Sequence, residues 1–138
     1  MGDRGYRGGV ASWVEVSRIA LALPQSAEQV TRGTRHWFVA GRRFVWERPL
    51  RPKEVHALGP DAPDGPILAV RVEHVGAKEA LLADDPNVFF TTPHFDGYPA
   101  ILARLERVAA ADLDELITEA WLVRAPKRLA AEHMPHER

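Results

Sequence analysis

The sequence predicts an α+β fold, a two-layer sandwich in which an antiparallel sheet carries helices on one face. Three observations predict it. Apolar residues recur at helical spacing in two separate segments, around 13–23 and 113–121. Between them, RHWFVAGRRFVWE reads as a β-hairpin. Two short apolar runs, ILAVRV (67–72) and AILARL (100–105), read as further strands. The order is helix, hairpin, strand, helix, strand, helix, in one domain over 10–132 with no internal repeat.

Taken in order, residues 1–9 (MGDRGYRGG) hold four glycines and no apolar period, as a flexible tail would. Ser12 with Glu15 three positions on forms a capping box. Trp13, Val16, Ile19, Ala20 and Leu23 then share a helix face until Pro24. In the hairpin, Trp37, Phe38, Val39, Phe44, Val45 and Trp46 are strand formers and Gly41 supplies the turn, with Arg42 and Arg43 at the tip. Residues 49–66 hold five prolines and two glycines and read as an irregular loop. A short helix is expected over 77–84, an extended run over 88–92, and a turn at HFDGYP (94–99) before the strand AILARL. Asp112 reads as the cap of a helix whose stripe is Leu113, Leu116, Ile117, Ala120 and Trp121. Pro126 breaks that helix, PKRLAAEH forms a last short one, and 133–138 reads as a second flexible tail.

Composition limits the function classes. With 138 residues, 46% hydrophobic and 27% charged at net −1, the chain suits one core and names no polyanionic partner by its total charge. The absence of cysteine removes disulfides and thiolate chemistry. The apolar stretch VASWVEVSRIALALP is interrupted by Glu15 and Arg18, so no spanning helix is expected and the expected compartment is the cytoplasm. GxSxG, Walker A and GxGxxG sequences are missing, which favours a non-enzymatic role. His36, His56, His74 and His94 are scattered, and Pro135 interrupts the spacing of His133 and His136, so neither a metal nor a cofactor is expected.

The distribution of charge says more than its total. Between Thr31 and Lys53, seven cations face the single carboxylate Glu47, a net +6, whereas 73–96 and 106–119 each carry −4. Arg35, Arg42, Arg43, Arg48, Arg51 and Lys53 are therefore the candidate nucleic-acid contacts: a two-stranded ribbon can present cations to phosphates. With a total charge near zero, such binding to DNA is expected to be weak and salt-sensitive. The bland alternative is a solvated hairpin paired with the chain's own acidic helices. His94 in TPHFDGYP reads as a general base, a ligand donor or a structural histidine; Asp96 beside it rarely makes a working dyad at that spacing. A small-molecule or peptide pocket from Trp37, His94, Tyr98, Lys127 and Arg128 is the second reading. Trp13, Trp37, Trp46 and Trp121 lie on apolar patterns and read as core.

HWFVAGRRFVWE, VFFTTPHFDGYPAILARL and EAWLVRAPKRLAAE together resemble the MmcQ/YjbR family of small bacterial proteins, over roughly residues 12–132. The marks that carry the resemblance are the aromatic-histidine turn at His94 and Pro126-Lys127-Arg128-Leu129. Where some members have His-Trp-Asn, this chain has Tyr98-Pro99-Ala100. The resemblance implies a CyaY/frataxin-like sandwich and DNA binding through a double-wing arrangement, and it brings no catalytic residues. Frataxin-like iron binding does not carry over, because the first helix holds only one carboxylate, Glu15.

Overall fold

The computed structural model describes residues 11–133, so the tail expected at 1–9 and most of that expected at 133–138 lie outside the described residues. Its elements are α1 (Trp13–Ala22), β1 (Ser26–Thr31), β2 (Thr34–Val39), β3 (Arg42–Glu47), α2 (Pro52–Leu58), β4 (Ile67–Arg71), α3 (Val75–Asp84), β5 (Phe89–Phe90), β6 (Ala100–Arg104), α4 (Ala110–Arg124) and α5 (Lys127–His133). The strands form one sheet in the order β1-β2-β3-β4-β6-β5, with every neighbouring pair antiparallel. The α+β class is as the sequence predicts.

Local chemistry accounts for the joints. Ser12 Oγ accepts the Glu15 N–H at 3.4 Å and opens α1. Two hairpins turn on two residues each, Arg32-Gly33 and Ala40-Gly41. All four have positive φ (53°, 82°, 50° and 77°), the geometry that matches strand twist. A register shift follows Trp37: Trp37 pairs Val45 while Phe38 pairs Arg43, leaving Phe44 as an extra residue. This bulge turns Phe44 and Val45 together toward the helices and leaves Arg43 on the same face as Trp46.

Each sheet face has its own core. On the helix face, Trp37, Val39, Phe44, Val45, Leu68, Val70, Ile101 and Ala103 pack with Val16 and Ile19 of α1 and with Leu113, Ile117 and Trp121 of α4. Leu81 of α3 and Leu129 of α5 lie against the same cluster. On the other face, Trp46, Ile67, Ala69, Ala100 and Leu102 are covered by Phe90, Phe95, Leu50 and Leu58. Four helices thus lie on one side, and an irregular cover lies on the other.

Five local readings are corrected. β1 was not expected: SAEQVT has no apolar alternation because it is an edge strand exposed along almost its whole length. Segment 49–66 is not wholly irregular, since Pro52 starts α2 at a position where its missing N–H costs nothing. Ala109, not Asp112, is the N-cap of α4, and Asp112 sits in the first turn, where its charge suits the helix dipole. His133 ends α5 instead of beginning a tail, with its ring 4.8 Å from that of Trp121. Helix α3 also begins earlier than expected, His74 Nδ1 accepting the Ala77 N–H at 3.0 Å.

Because Leu68 is fully buried between the two layers, Leu68→Ala is expected to cost about 2–5 kcal/mol in urea or thermal unfolding. Val30, 67% exposed on the edge strand, is expected to tolerate Val30→Ala within about 0.5 kcal/mol.

Candidate functional site

Beyond β3 the chain buries an arginine. Arg48 is 9% exposed, and its guanidinium meets Glu54, at the third position of α2, with Nη1 donating to Oε1 at 2.9 Å and Nη2 to Oε2 at 2.8 Å. Glu54 Oε1 also accepts the Arg51 N–H at 2.9 Å, and Oε2 accepts from Thr92 Oγ1 at 3.3 Å. Burial alone would raise the Glu54 carboxyl, but the hydrogen bonds from Arg48 and Arg51 and the charge of Arg48 outweigh it and hold the group below its ordinary value. This pair fastens α2 to the sheet, with Arg48 stacked 5.3 Å from the centroid of Phe95.

Phe95 lies in a turn at 93–98 that is held from beneath by a second buried charge. Lys78 of α3 is 3% exposed, and its Nζ donates to the carbonyls of Phe95 and Tyr98. Burial lowers the Lys78 amine, against a smaller raising effect of Asp96. Gly97 completes the turn at φ 73°. His94 and Tyr98 stand outward; Tyr98 is 41% exposed, and the His94 ring meets Phe95 edge-on at 5.1 Å. Among the described residues, no hydrogen bond joins His94 to Asp96.

Between this turn and the β1–β2 hairpin runs a cleft of about 900 Å³. Thr31, Arg32 and Thr34 form one wall, Arg51 and the 94–98 turn form the other, and His36, Arg43 and Trp46 lie between them. Arg43 lies flat over the Trp46 ring at 3.7 Å and donates through Nη1 to His36 Nδ1 at 3.1 Å. His36 Nε2 then carries the proton toward Thr34 Oγ1 at 2.9 Å, so the ring is neutral. Burial lowers the His36 pKa first, and Arg43 lowers it further, against a smaller raising effect of Glu47. Glu47 and Asp96 also line the cleft, but among the described residues no carboxylate lies within 4 Å of Arg32, Arg43 or Arg51.

The expected contacts therefore divide. Arg43, Arg48, Arg51, His94 and Tyr98 come together at the cleft, Arg48 as its buried anchor. Arg35 turns to the opposite face beside Trp13 and Glu28. Arg42 donates to the Arg124 carbonyl at 3.3 Å, and Lys53 is exposed on α2. The pocket expected from Trp37, His94, Tyr98, Lys127 and Arg128 is not assembled. Trp37 is fully buried on the helix face, stacked on Trp13 and donating to Glu28 Oε1 at 2.8 Å. Lys127 lines a separate groove with Leu81 and Leu122, and Arg128 is exposed on α5. Nor is β2–β3 a free ribbon: β1 and β4 flank it, so it cannot enter a groove as a two-stranded element.

Arg32, His36, Lys78 and Glu54 do not read as site residues from sequence, and Trp46 reads as core. Arg32-Gly33 is a turn dipeptide and could have been read as one; the others carry no local signal. Among the described residues, no three His, Asp or Glu side chains converge as a metal group, and no helix is long and apolar enough to cross a membrane.

The YjbR family model matches residues 21–123. Uncharacterized proteins of Mycobacterium tuberculosis (Rv2570) and Mycobacterium bovis (Mb2600) are each 51% identical over 123 residues, covering 87% of this chain and 93% of theirs. The crystal structure of Deinococcus radiodurans protein DR2400, a DUF419 domain, superposes with a TM-score of 0.62 at 17% identity, over 83% of this chain and 78% of that one. That likeness is one of fold.

Three outcomes are expected at this site. Glu54→Leu should cost about 3–5 kcal/mol in denaturant unfolding, because it strands a buried guanidinium. In the parent chain, the stability due to Glu54 should be present above its ordinary pKa of 4.5 and lost as pH falls through the lowered folded value. The His36 ring should titrate by NMR below its ordinary 6.5, so the unfolded chain binds more protons near that pH and stability rises as pH increases through it.

Proposed function

The chain belongs to the YjbR family, and from that premise we propose that its cleft binds DNA as a single strand, with the phosphates on Arg32, Arg43 and Arg51 and a base against Tyr98. The observation that carries the reading is three guanidiniums without carboxylate partners lining a concave surface, beside an exposed aromatic ring. Phosphate needs cations that are free to exchange counterions, and every base offers a face to stack on. Concavity favours one strand over a duplex, because a flanked β2–β3 pair has no free edges to place in a groove. Lys53, on the exposed face of α2, extends the cationic rim. The role is binding without chemistry, and the overall charge of −1 keeps the affinity low at physiological salt.

Anisotropy titrations with a labelled single strand should give a log–log salt slope of about −2, from roughly 0.7 counterions per contact at three contacts. Arg51→Ala should flatten that slope by about 0.7. Tyr98→Ala should weaken binding by about 1–3 kcal/mol with little change in slope. Tighter binding to a duplex, or unchanged affinity in Arg43→Gln and Arg51→Ala, would end the single-strand reading.

A further inference from the structure

Four arginines gather where β3 begins and where β4 and α4 end. Arg71 is the last residue of β4 and pairs with Ala100, which places it beside the turn that carries Tyr98. Its Nε donates to the Pro99 carbonyl at 3.1 Å, and its guanidinium lies 5.2 Å from the Tyr98 ring centroid, with Nη1 3.5 Å from the hydroxyl. Arg124, at the end of α4, donates from Nε to the Arg43 carbonyl at 3.2 Å, while Arg42 donates to the Arg124 carbonyl at 3.3 Å. Arg43 completes the group from its seat on Trp46.

The arrangement anchors the guanidiniums and leaves donors over. A guanidinium has five N–H groups. Arg71 and Arg124 are each fixed through Nε, and Arg43 through its face and Nη1, so terminal N–H groups remain without protein partners among the described residues. No carboxylate among the described residues lies within 4 Å of any of the four. Two arginines outside this group have carboxylate partners, Arg18 with Glu15 and Arg48 with Glu54. Here the electrostatic neighbours are one another and a phenol. Burial lowers Arg43 first, Tyr98 opposes it, and Arg71 and Arg124 lower it further. Burial likewise lowers Arg124 first, followed by Arg71, with Tyr98 opposing and Arg42 adding. Guanidiniums remain protonated under such pressure, so positive charge is concentrated without a counter-charge. Arg71 Nη1 lies 3.5 Å from the Tyr98 hydroxyl, and the same phenol acts electrostatically on Arg43 and Arg124. Tyr98 and Arg43 open onto the cleft, and Arg71 lies beside it on the neighbouring groove.

We propose that this end of the cleft is a seat for a phosphate monoester, the terminal phosphate of a nucleic-acid strand, held by Arg43, Arg71 and Arg124 around the Tyr98 hydroxyl. The inference rests on the single-strand reading of the cleft and adds polarity to it. Internal phosphodiesters carry one charge and pass along Arg32, Arg51 and Arg43, the last shared between the strand and its terminal phosphate. A terminal monoester carries close to two charges at neutral pH and three acceptor oxygens, which suits several converging forks. A free nucleoside monophosphate presents the same chemistry, so the two sources must be separated by experiment.

The test uses three strands of one sequence with an internal fluorophore: 5′-phosphorylated, 3′-phosphorylated, and hydroxyl at both ends. A deoxynucleoside monophosphate is assayed alongside by its effect on Tm. One phosphorylated strand is expected to bind about tenfold more tightly than the hydroxyl-ended one, a gain of roughly 1.4 kcal/mol. Arg71→Gln and Arg124→Gln should each bring it down to the affinity of the hydroxyl-ended strand. These two variants alter different hydrogen bonds, so an effect shared by both, with Tm of the free protein retained, excludes simple unfolding. Equal binding of all three strands, with no stabilisation by the monophosphate, overturns the terminal-phosphate seat and leaves the single-strand reading standing. Failure of every strand to bind, with stabilisation by the monophosphate that Arg71→Gln abolishes, supports the seat with a free nucleotide as its ligand and ends the strand reading. Failure of strands and monophosphate alike overturns both.

Discussion

The Arg48–Glu54 pair is the constraint from which the site side of the molecule is built. A sheet of this size needs both faces covered, and four of the five helices serve only one. On the other, Trp46, Ile67, Ala69 and Leu102 need a lid, and the chain there offers a proline-rich segment with little apolar surface of its own. A bidentate ion pair at 2.9 and 2.8 Å, completed by Arg51 N–H and Thr92 Oγ1, does what apolar packing cannot do there: it fixes α2 over the sheet with defined geometry. Desolvation makes such a pair a modest source of net stability, but breaking one half is costly, so the lid has one position.

Lys78 repeats the strategy with a different partner. Its amine meets two backbone carbonyls, so the 93–98 turn is held by hydrogen bonds from below while its outer surface stays free. This separates the roles that the sequence left merged in HFDGYP. Phe95 is core, Lys78 is the fastener, and Tyr98 and His94 are what the turn presents. The β-bulge at Phe44 makes the matching adjustment across the cleft: in a regular strand with unbroken alternation, positions 43 and 46 would face opposite sides of the sheet. Rigid supports beneath an anchored cationic surface suit recognition in which the ligand, and not the protein, is flexible.

Sequence reading went furthest where periodicity is strong. The stripe from Leu113 to Trp121 and the strands around Gly41 follow from apolar spacing, because burial on one face selects it. β1 left no trace, since an edge strand exposed on both sides needs no apolar alternation and is defined by its pairing with β2. The site was legible only in part. The run of cations between Thr31 and Lys53 pointed to the right region, but spacing could not say that Arg48 is buried against Glu54 or that Arg35 faces the helices. Arg71 and Arg124 lie in unremarkable contexts: only the antiparallel register brings Arg71 to Tyr98, and only the packing of α4 on the sheet brings Arg124 to Arg43. The groups that converge come from far apart in the chain, where local pattern carries no information.

One feature of the cation supply bears on how this protein's contacts can be observed. Of its 18 basic residues only three are lysines, and one of these, Lys78, is buried with both carbonyl contacts satisfied. Lys53 and Lys127 stand outside the cleft. Crosslinkers and labels that react with primary amines, formaldehyde among them, will therefore map the periphery and stay silent about the cleft. Dicarbonyl reagents, which condense with guanidinium groups, address the surface that amine chemistry cannot see.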